Sequence, residues 1–217
     1  MKFFIDTANI DQIKEAESLG ILDGVTTNPS LMAKEGIKGE NNIIKHYKDI
    51  CEIVTGDVSA EVISVDYKGI IKEGENLAKL HKQIVIKVPM IEDGIKAIRY
   101  FSDKGLKTNC TLGFSAGQAL LAAKAGATYV SPFIGRLDDV SADGLNLISE
   151  IREIYDNYGF NTQILAASIR HTMHIVDCAK LGADVITSPL SAIKGLMKHP
   201  LTDIGLDKFL SDHKNNQ

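Results

Sequence analysis

Lys87 stands in the run Gln83-Ile84-Val85-Ile86-Lys87-Val88-Pro89-Met90, flanked by Ile86 and Val88 in an otherwise apolar, β-branched stretch. An ammonium in such surroundings is desolvated, and desolvation disfavours the charged form. An uncharged lysine amine attacks carbonyls and forms a Schiff base. The iminium then withdraws electrons, so that a carbon–carbon bond β to it can break. That chemistry needs a base for a hydroxyl proton, and an acid/base with an ordered water to form and hydrolyse the imine. Asp6 and Glu61 are carboxylates that can divide those roles, and Thr111 can position the water. Arg136 and Arg170 offer bidentate pairing with a phosphate, so the matching substrate is a sugar phosphate. Each residue also has a plainer reading. Lys87 fits an edge strand facing water, Asp6 a helix cap, Glu61 an outward strand position, and the arginines surface ion pairs of small energy. The reading requires the amine to face inward with an acid group near it.

The elements that must gather these residues are legible as two alternating textures. Short β-branched runs predict strands at Lys2–Asp6, Gly24–Thr27, Val58–Ile63, Ile84–Val88, Thr108–Leu112, Thr128–Pro132, Gln163–Ala167 and Asp184–Thr187. Between them, amphipathic stretches predict helices at Ile10–Leu19, Asn42–Val54, Tyr67–Lys82, Glu92–Lys104, Ser115–Ala125, Asp143–Tyr158, His171–Leu181 and Leu190–Lys198. Most of them close on a glycine: Gly20, Gly56, Gly105, Gly126, Gly159 or Gly182. The joins "KAGATYVSP" (124–132) and "KLGADVITSP" (180–189) repeat one another, as stacked βα units do. Strands alternating with helices imply a parallel sheet. Eight units predict an α/β fold, one (β/α)₈ TIM barrel over residues 1–217, with 201–213 as an extra C-terminal helix outside the repeat. An open dinucleotide-binding sheet fits less well, because the first turn, "DTANID", lacks glycine.

In such barrels the reactive groups lie at the C-terminal ends of the strands. Reading each predicted strand there gives Asp6, then Thr26-Thr27-Asn28, Glu61, Lys87 and Thr111. Ser131 follows with Arg136 just beyond it, then Ser168 with Arg170 beyond, then Thr187-Ser188. The force of the pattern is joint, because polar residues recur at one relative place on separate strands. His171 and His174 share a helix start at spacing i, i+3, but no third ligand accompanies them, so they read as surface residues and no metal is expected. Cys110 should point opposite to Thr111 as a buried structural thiol.

Composition narrows the remaining classes. The 217 residues carry a net charge of −4 without a basic block, which argues against nucleic acid or an anionic membrane as partner. Cys51, Cys110 and Cys178 form no CxxC, as expected of reduced thiols in a cytoplasmic protein. No apolar run approaches the ~20 residues of a membrane span, and no signal-peptide core precedes Asp6.

The stretches "FIDTANI" (4–10), "GVTTNPSL" (24–31), "IVIKVP" (84–89), "SPFIGRLDD" (131–139) and "AASIR" (166–170) resemble the transaldolase family, in its short, barrel-only subfamily. The resemblance runs almost end to end, and "GVTTNPS" is its most specific signature. It implies Lys87 as the Schiff-base lysine, Asp6 as the base that deprotonates the C4 hydroxyl, Glu61 as acid/base and Thr111 as the holder of the catalytic water. Asn28 and Ser131 would hold the dihydroxyacetone moiety beside Thr26 and Phe133, and Arg136, Ser168 and Arg170 the phosphate. No organic cofactor is implied. The activity implied is transfer of a dihydroxyacetone unit between sugar phosphates, as in the pentose phosphate pathway, by a ring-shaped homo-oligomer (pentamer or decamer) whose C-terminal helix reaches a neighbour. The fructose-6-phosphate aldolase branch is similar in length but typically has glutamine where Glu61 stands and tyrosine where Phe133 stands. A non-catalytic sugar-phosphate-binding barrel is the other alternative, and the intact Lys87, Asp6 and Glu61 set argues against it. Ile169 departs from the family pattern, standing where an aromatic is common.

Overall fold

Residues 1–216 are described in a computed structural model. The chain runs β1 (Lys2–Asp6), α1 (Ile10–Ser18), β2 (Gly24–Thr26), α2 (Pro29–Lys34), α3 (Glu40–Ile53), β3 (Asp57–Glu61), α4 (Tyr67–Ala78) and β4 (Ile84–Pro89). It continues through α5 (Glu92–Asp103), β5 (Thr108–Gly113), α6 (Ala116–Ala125), β6 (Tyr129–Pro132), α7 (Ile134–Asp138) and α8 (Gly144–Tyr158). It closes with β7 (Gln163–Ala166), α9 (Thr172–Lys180), β8 (Val185–Ser188), α10 (Leu190–Gly195) and α11 (Pro200–Asn215). The strands pair in parallel in chain order, and β8 returns to β1, closing the barrel. The expected (β/α)₈ architecture with a C-terminal helix is therefore present.

Local chemistry sets the helix starts. Asn9, Asn28, Asp66, Ser115 and Asp143 each accept an amide hydrogen of the first turn through a side-chain oxygen. Asn28 is followed by Pro29 at the first helical position, where a missing amide hydrogen costs nothing. Gly20, Gly105, Gly126, Gly159 and Gly182 adopt the left-handed conformation at helix ends. Gly56 does not. A Cβ there would lie 1.8 Å from the Asp23 carbonyl oxygen, so close backbone approach is what demands glycine. The helix expected over Tyr67–Lys82 ends early, because the Leu80 amide bonds back to Leu77 at 3.0 Å. Leu80 thereby packs against the cluster holding Ile50 and Val54.

Two packed shells result. Outward strand residues such as Ile86, Val88, Cys110, Val130 and Ile164 meet the helices. Inside the barrel, Phe4, Val85, Tyr129, Leu165 and Val185 fill the N-terminal end, with Phe4 and Tyr129 edge to face. Burial pushes the Cys110 thiol up to about 12, as suits an inert core cysteine. Helix α11 is different, since none of its described residues is buried and Leu201, Ile204, Leu206, Phe209 and Leu210 are exposed.

Candidate active site

Above the apolar plug the inward positions turn polar. Strand alternation brings Thr26, Ser59, Glu61, Lys87, Asn109, Thr111, Ser131 and Thr187 to the same interior. Register sets their level, with Glu61 opposite Lys87, Lys87 opposite Asn109, and Asp6 opposite Thr26. The Lys87 amine donates to the Thr27 carbonyl at 3.0 Å and lies 3.1 Å from Glu61 Oε2. The two side chains are 6% and 16% exposed, so Lys87 is no edge-strand lysine facing water. The amine thus faces inward with a carboxylate beside it that is able to exchange a proton, as the sequence reading required.

Asp6 does not cap α1, because Asn9 does. Instead Thr26 Oγ1 lies 2.8 Å from Asp6 Oδ1 and 2.6 Å from Thr187 Oγ1. Thr26 has one hydroxyl hydrogen and gives it to the carboxylate, so Thr187 donates to Thr26 and the two hydroxyls orient Asp6 as a chain. Asn28 Oδ1 is committed to the Leu31 amide at 2.9 Å, which leaves its NH₂ for the pocket. Ser131 donates to Asn109 Oδ1 at 2.7 Å, and Asn109 donates in turn to Ser59 Oγ at 3.3 Å. Thr111 is 1% exposed and its hydroxyl has no partner among the described residues. A buried hydroxyl left open is a place for a water or a substrate oxygen.

The opposite side of the mouth is built from the turns after β6 and β7. The Arg136 guanidinium lies 5.0 Å from the centre of the Phe133 ring, and Phe114 packs on Phe133 with centroids 5.7 Å apart. Ser168 adopts a left-handed backbone at φ 60°, rare for a residue with a side chain. Its carbonyl accepts from the Gly135 amide at 3.1 Å, an approach a Cβ on Gly135 would block at 2.1 Å. Arg170 is held by Asp139, so its surface ion pair and its place at the mouth coexist.

These groups enclose a pocket of about 200 Å³ lined by Asp6, Thr26, Asn28, Lys87, Ser131, Phe133, Arg136, Ser168, Arg170 and their neighbours, Thr187 among them. Glu61 joins it through Lys87, and Thr111 shares the inward face of β5 with Asn109. A larger hollow of about 310 Å³ lies between the outer helices α4 and α5, but it gathers no comparable set of acid, base and amine. His171 and His174 are in contact, with ring centroids 3.9 Å apart. His174 corrects the expected surface placement: it is 6% exposed and sits 3.1 Å from Asp138. No group of three or more candidate metal ligands occurs among the described residues. The sequence reading gave no role to Asn109 or Ser59. Asn109 carried one usable signal, its place two residues before Thr111 on the same strand face.

Similarity to known proteins agrees with this arrangement. The barrel resembles thiamine phosphate pyrophosphorylase from Pyrococcus furiosus with a TM-score of 0.60 at 16% identity, over 86% of this chain and 84% of that one, a likeness of fold alone. A "Probable transaldolase" of Flavobacterium psychrophilum is 75% identical over 98% of this chain and 97% of its own length. Proteins of the same name from Cytophaga hutchinsonii and Phocaeicola vulgatus are each 72% identical over 99% of this chain and 98% of theirs. Residues 3–216 match the family described as transaldolase/fructose-6-phosphate aldolase, and the chain belongs to that family.

Proposed function

We propose that the protein is a transaldolase that moves a dihydroxyacetone unit from a ketose phosphate, sedoheptulose 7-phosphate or fructose 6-phosphate, to an aldose phosphate, glyceraldehyde 3-phosphate or erythrose 4-phosphate. The observation that carries this reading is the buried Lys87 amine 3.1 Å from Glu61, in an interior shared with the Thr26-oriented Asp6. Glu61 takes the amine proton, and Lys87 Nζ attacks the ketose C2. Loss of the C2 oxygen as water gives the iminium, with Glu61 supplying the proton and Thr111 holding the water. Asp6 then removes the proton of the C4 hydroxyl. The C3–C4 bond breaks, its electron pair passes to the iminium as an enamine, and the shortened aldose leaves. The enamine carbon next attacks the acceptor aldehyde, Asp6 returns the proton to the new hydroxyl, and water releases the product ketose from Lys87.

In this reading the Asn28 amide and Ser131 hold the dihydroxyacetone hydroxyls, Thr26 orients Asp6, and Arg136, Ser168 and Arg170 hold the phosphate. Phe133 gives the enamine no proton, where a tyrosine hydroxyl would, which favours transfer over release of free dihydroxyacetone. Residues 1–217 act as one domain in a cytoplasmic homo-oligomer of the pentose phosphate pathway. The exposed apolar residues of α11 support an intersubunit role for it, since an apolar surface of that kind marks a contact site. Among the described residues no helix is long and apolar enough to cross a membrane.

The test is borohydride reduction with fructose 6-phosphate followed by peptide mass spectrometry. The expected result is a reduced three-carbon adduct on Lys87, absent from Lys87→Met. Tight binding with no adduct would make the chain a sugar-phosphate-binding barrel. Release of dihydroxyacetone without an acceptor aldehyde would make it an aldolase.

A further inference from the structure

His174 lies on α9, behind the mouth and outside the pocket, yet it touches both turns that frame the phosphate side. Its Nδ1 is 3.3 Å from the Arg170 backbone nitrogen, and its Nε2 is 3.1 Å from Asp138 Oδ2 on α7. An amide N–H can only donate, so Nδ1 is an acceptor and the ring proton sits on Nε2, facing the carboxylate. Asp138 Oδ1 also accepts the Gly144 amide at 3.0 Å, which anchors α7 to the start of α8. His171 accepts the His174 amide through its Nδ1 at 3.3 Å, and its ring packs against the His174 ring at a 47° tilt, restricting the imidazole. One neutral imidazole therefore ties the Ser168–Arg170 turn, with its left-handed Ser168, to α7, the short helix that carries Arg136.

We infer that His174 is a positioning residue for the phosphate subsite, holding Arg170 and Arg136 at a fixed separation through the Arg170 amide and Asp138. The inference rests on Arg136, Ser168 and Arg170 being that subsite, as read above. Protonation would put a hydrogen on Nδ1 facing the Arg170 N–H, and the tie would turn repulsive. The groups facing the ring are Asp138 from α7, Arg170 from the turn after β7, and His171 and Asp177 from its own helix. Burial lowers the proton affinity of His174 below its ordinary value of 6.5; His171 and Arg170 act the same way, and Asp138 and Asp177 oppose them. The tie is intact at neutral pH and lost only as the pH falls below the ordinary histidine range.

The test measures KM and kcat for fructose 6-phosphate and for unphosphorylated fructose, with D-glyceraldehyde as acceptor throughout. In His174→Leu the KM for fructose 6-phosphate should rise about tenfold, the effect of a buried amide left unpaired. Its kcat, and both constants for fructose, should stay within about twofold. His174→Asn, which keeps an acceptor near Nδ1, should restore most of the affinity. The wild type should lose phosphate affinity on acidification more steeply than His174→Asn, whose own profile records the titration of the phosphate. If the leucine variant does not fold, His174→Gln, which lacks the acceptor but can reach Asp138, takes its place. Arg136→Gln tests the subsite itself. A raised KM in Arg136→Gln with an unchanged one in His174→Leu would overturn the inference alone. Equal loss for fructose and its phosphate would reduce His174 to general stability and overturn it too. An unchanged KM in Arg136→Gln would remove the subsite reading and the inference together.

Discussion

The Lys87–Glu61 pair makes a quantitative demand on stability. At 3.1 Å and an effective dielectric near 20, the attraction is about 5 kcal/mol, and desolvation of the two ions opposes it by a similar amount. The intact pair is therefore worth little net, whereas either half alone leaves a buried charge. For Glu61→Gln the lysine keeps its bond to the Thr27 carbonyl but loses its counter-charge. The amide still accepts one hydrogen bond, so the expected loss is about 3 kcal/mol, at the low end for breaking a buried pair. Lys87→Met strands the carboxylate and should lose a similar amount. The double variant Lys87→Met/Glu61→Gln removes both charges and should be less destabilised than either single. In thermal unfolding at fixed protein concentration, each single variant of this 217-residue chain should melt roughly 6–12 °C lower, with the double between them and the wild type. The cycle should give a coupling of at least about 3 kcal/mol. Simple addition of the two losses would show that Glu61 does not compensate the amine, and the proton-exchange step would lose its basis.

Two further outcomes follow from the hydrogen-bond geometry. Thr26→Val keeps the volume but deprives Asp6 of its 2.8 Å donor and Thr187 of its acceptor. Bonds to a charged group are worth about 1.5–3 kcal/mol, so kcat/KM should fall roughly 10- to 100-fold without a change in melting of comparable size; wild-type kinetics would refute the relay. Gly135→Ala forces a Cβ to within 2.1 Å of the Ser168 carbonyl and 2.8 Å of Arg170 Cγ, so the two turns must separate. A shift of that order should raise KM for phosphorylated ketose roughly 10- to 100-fold while imine trapping at Lys87 persists; unchanged affinity would place the phosphate elsewhere.

The strands were legible because a parallel barrel covers both faces of each strand. Ile84–Pro89 is buried along nearly its whole length and reads as one β-branched run. Long helices announced themselves through caps such as Asp66 and Ser115 and stops such as Gly126. Two of the three short helices, α2 and α7, did not. Pro29–Lys34 and Ile134–Asp138 span too few turns to show a period, and Ile134–Asp138 starts at Phe133, which makes no side-chain cap. Asn28 is instructive, because its cap role and its place at the pocket use different atoms of one amide. What the sequence could not show is who faces whom across strands. Asn109 and Ser59 are ordinary polar residues until register puts them beside Lys87 and Ser131, and His174 is an ordinary helix residue until Asp138 folds back over it.

That dependence on register has a physical consequence for how the site is kept rigid. Glu61, Lys87 and Asn109 lie on three neighbouring strands at one level, so a slip of β4 by a single residue would turn the amine outward among Ile70, Ile98 and Phe101. An unpaired ammonium there has no partner, which makes the slipped barrel far less stable than the native one. The polar layer thus discriminates against misregister as well as holding the chemistry. The same logic accounts for the apolar plug of Phe4, Val85, Tyr129, Leu165 and Val185 directly beneath it. The plug supplies burial that polar interior positions cannot, and it closes the barrel below Lys87, so that the pocket at the mouth is the side on which the amine lies open.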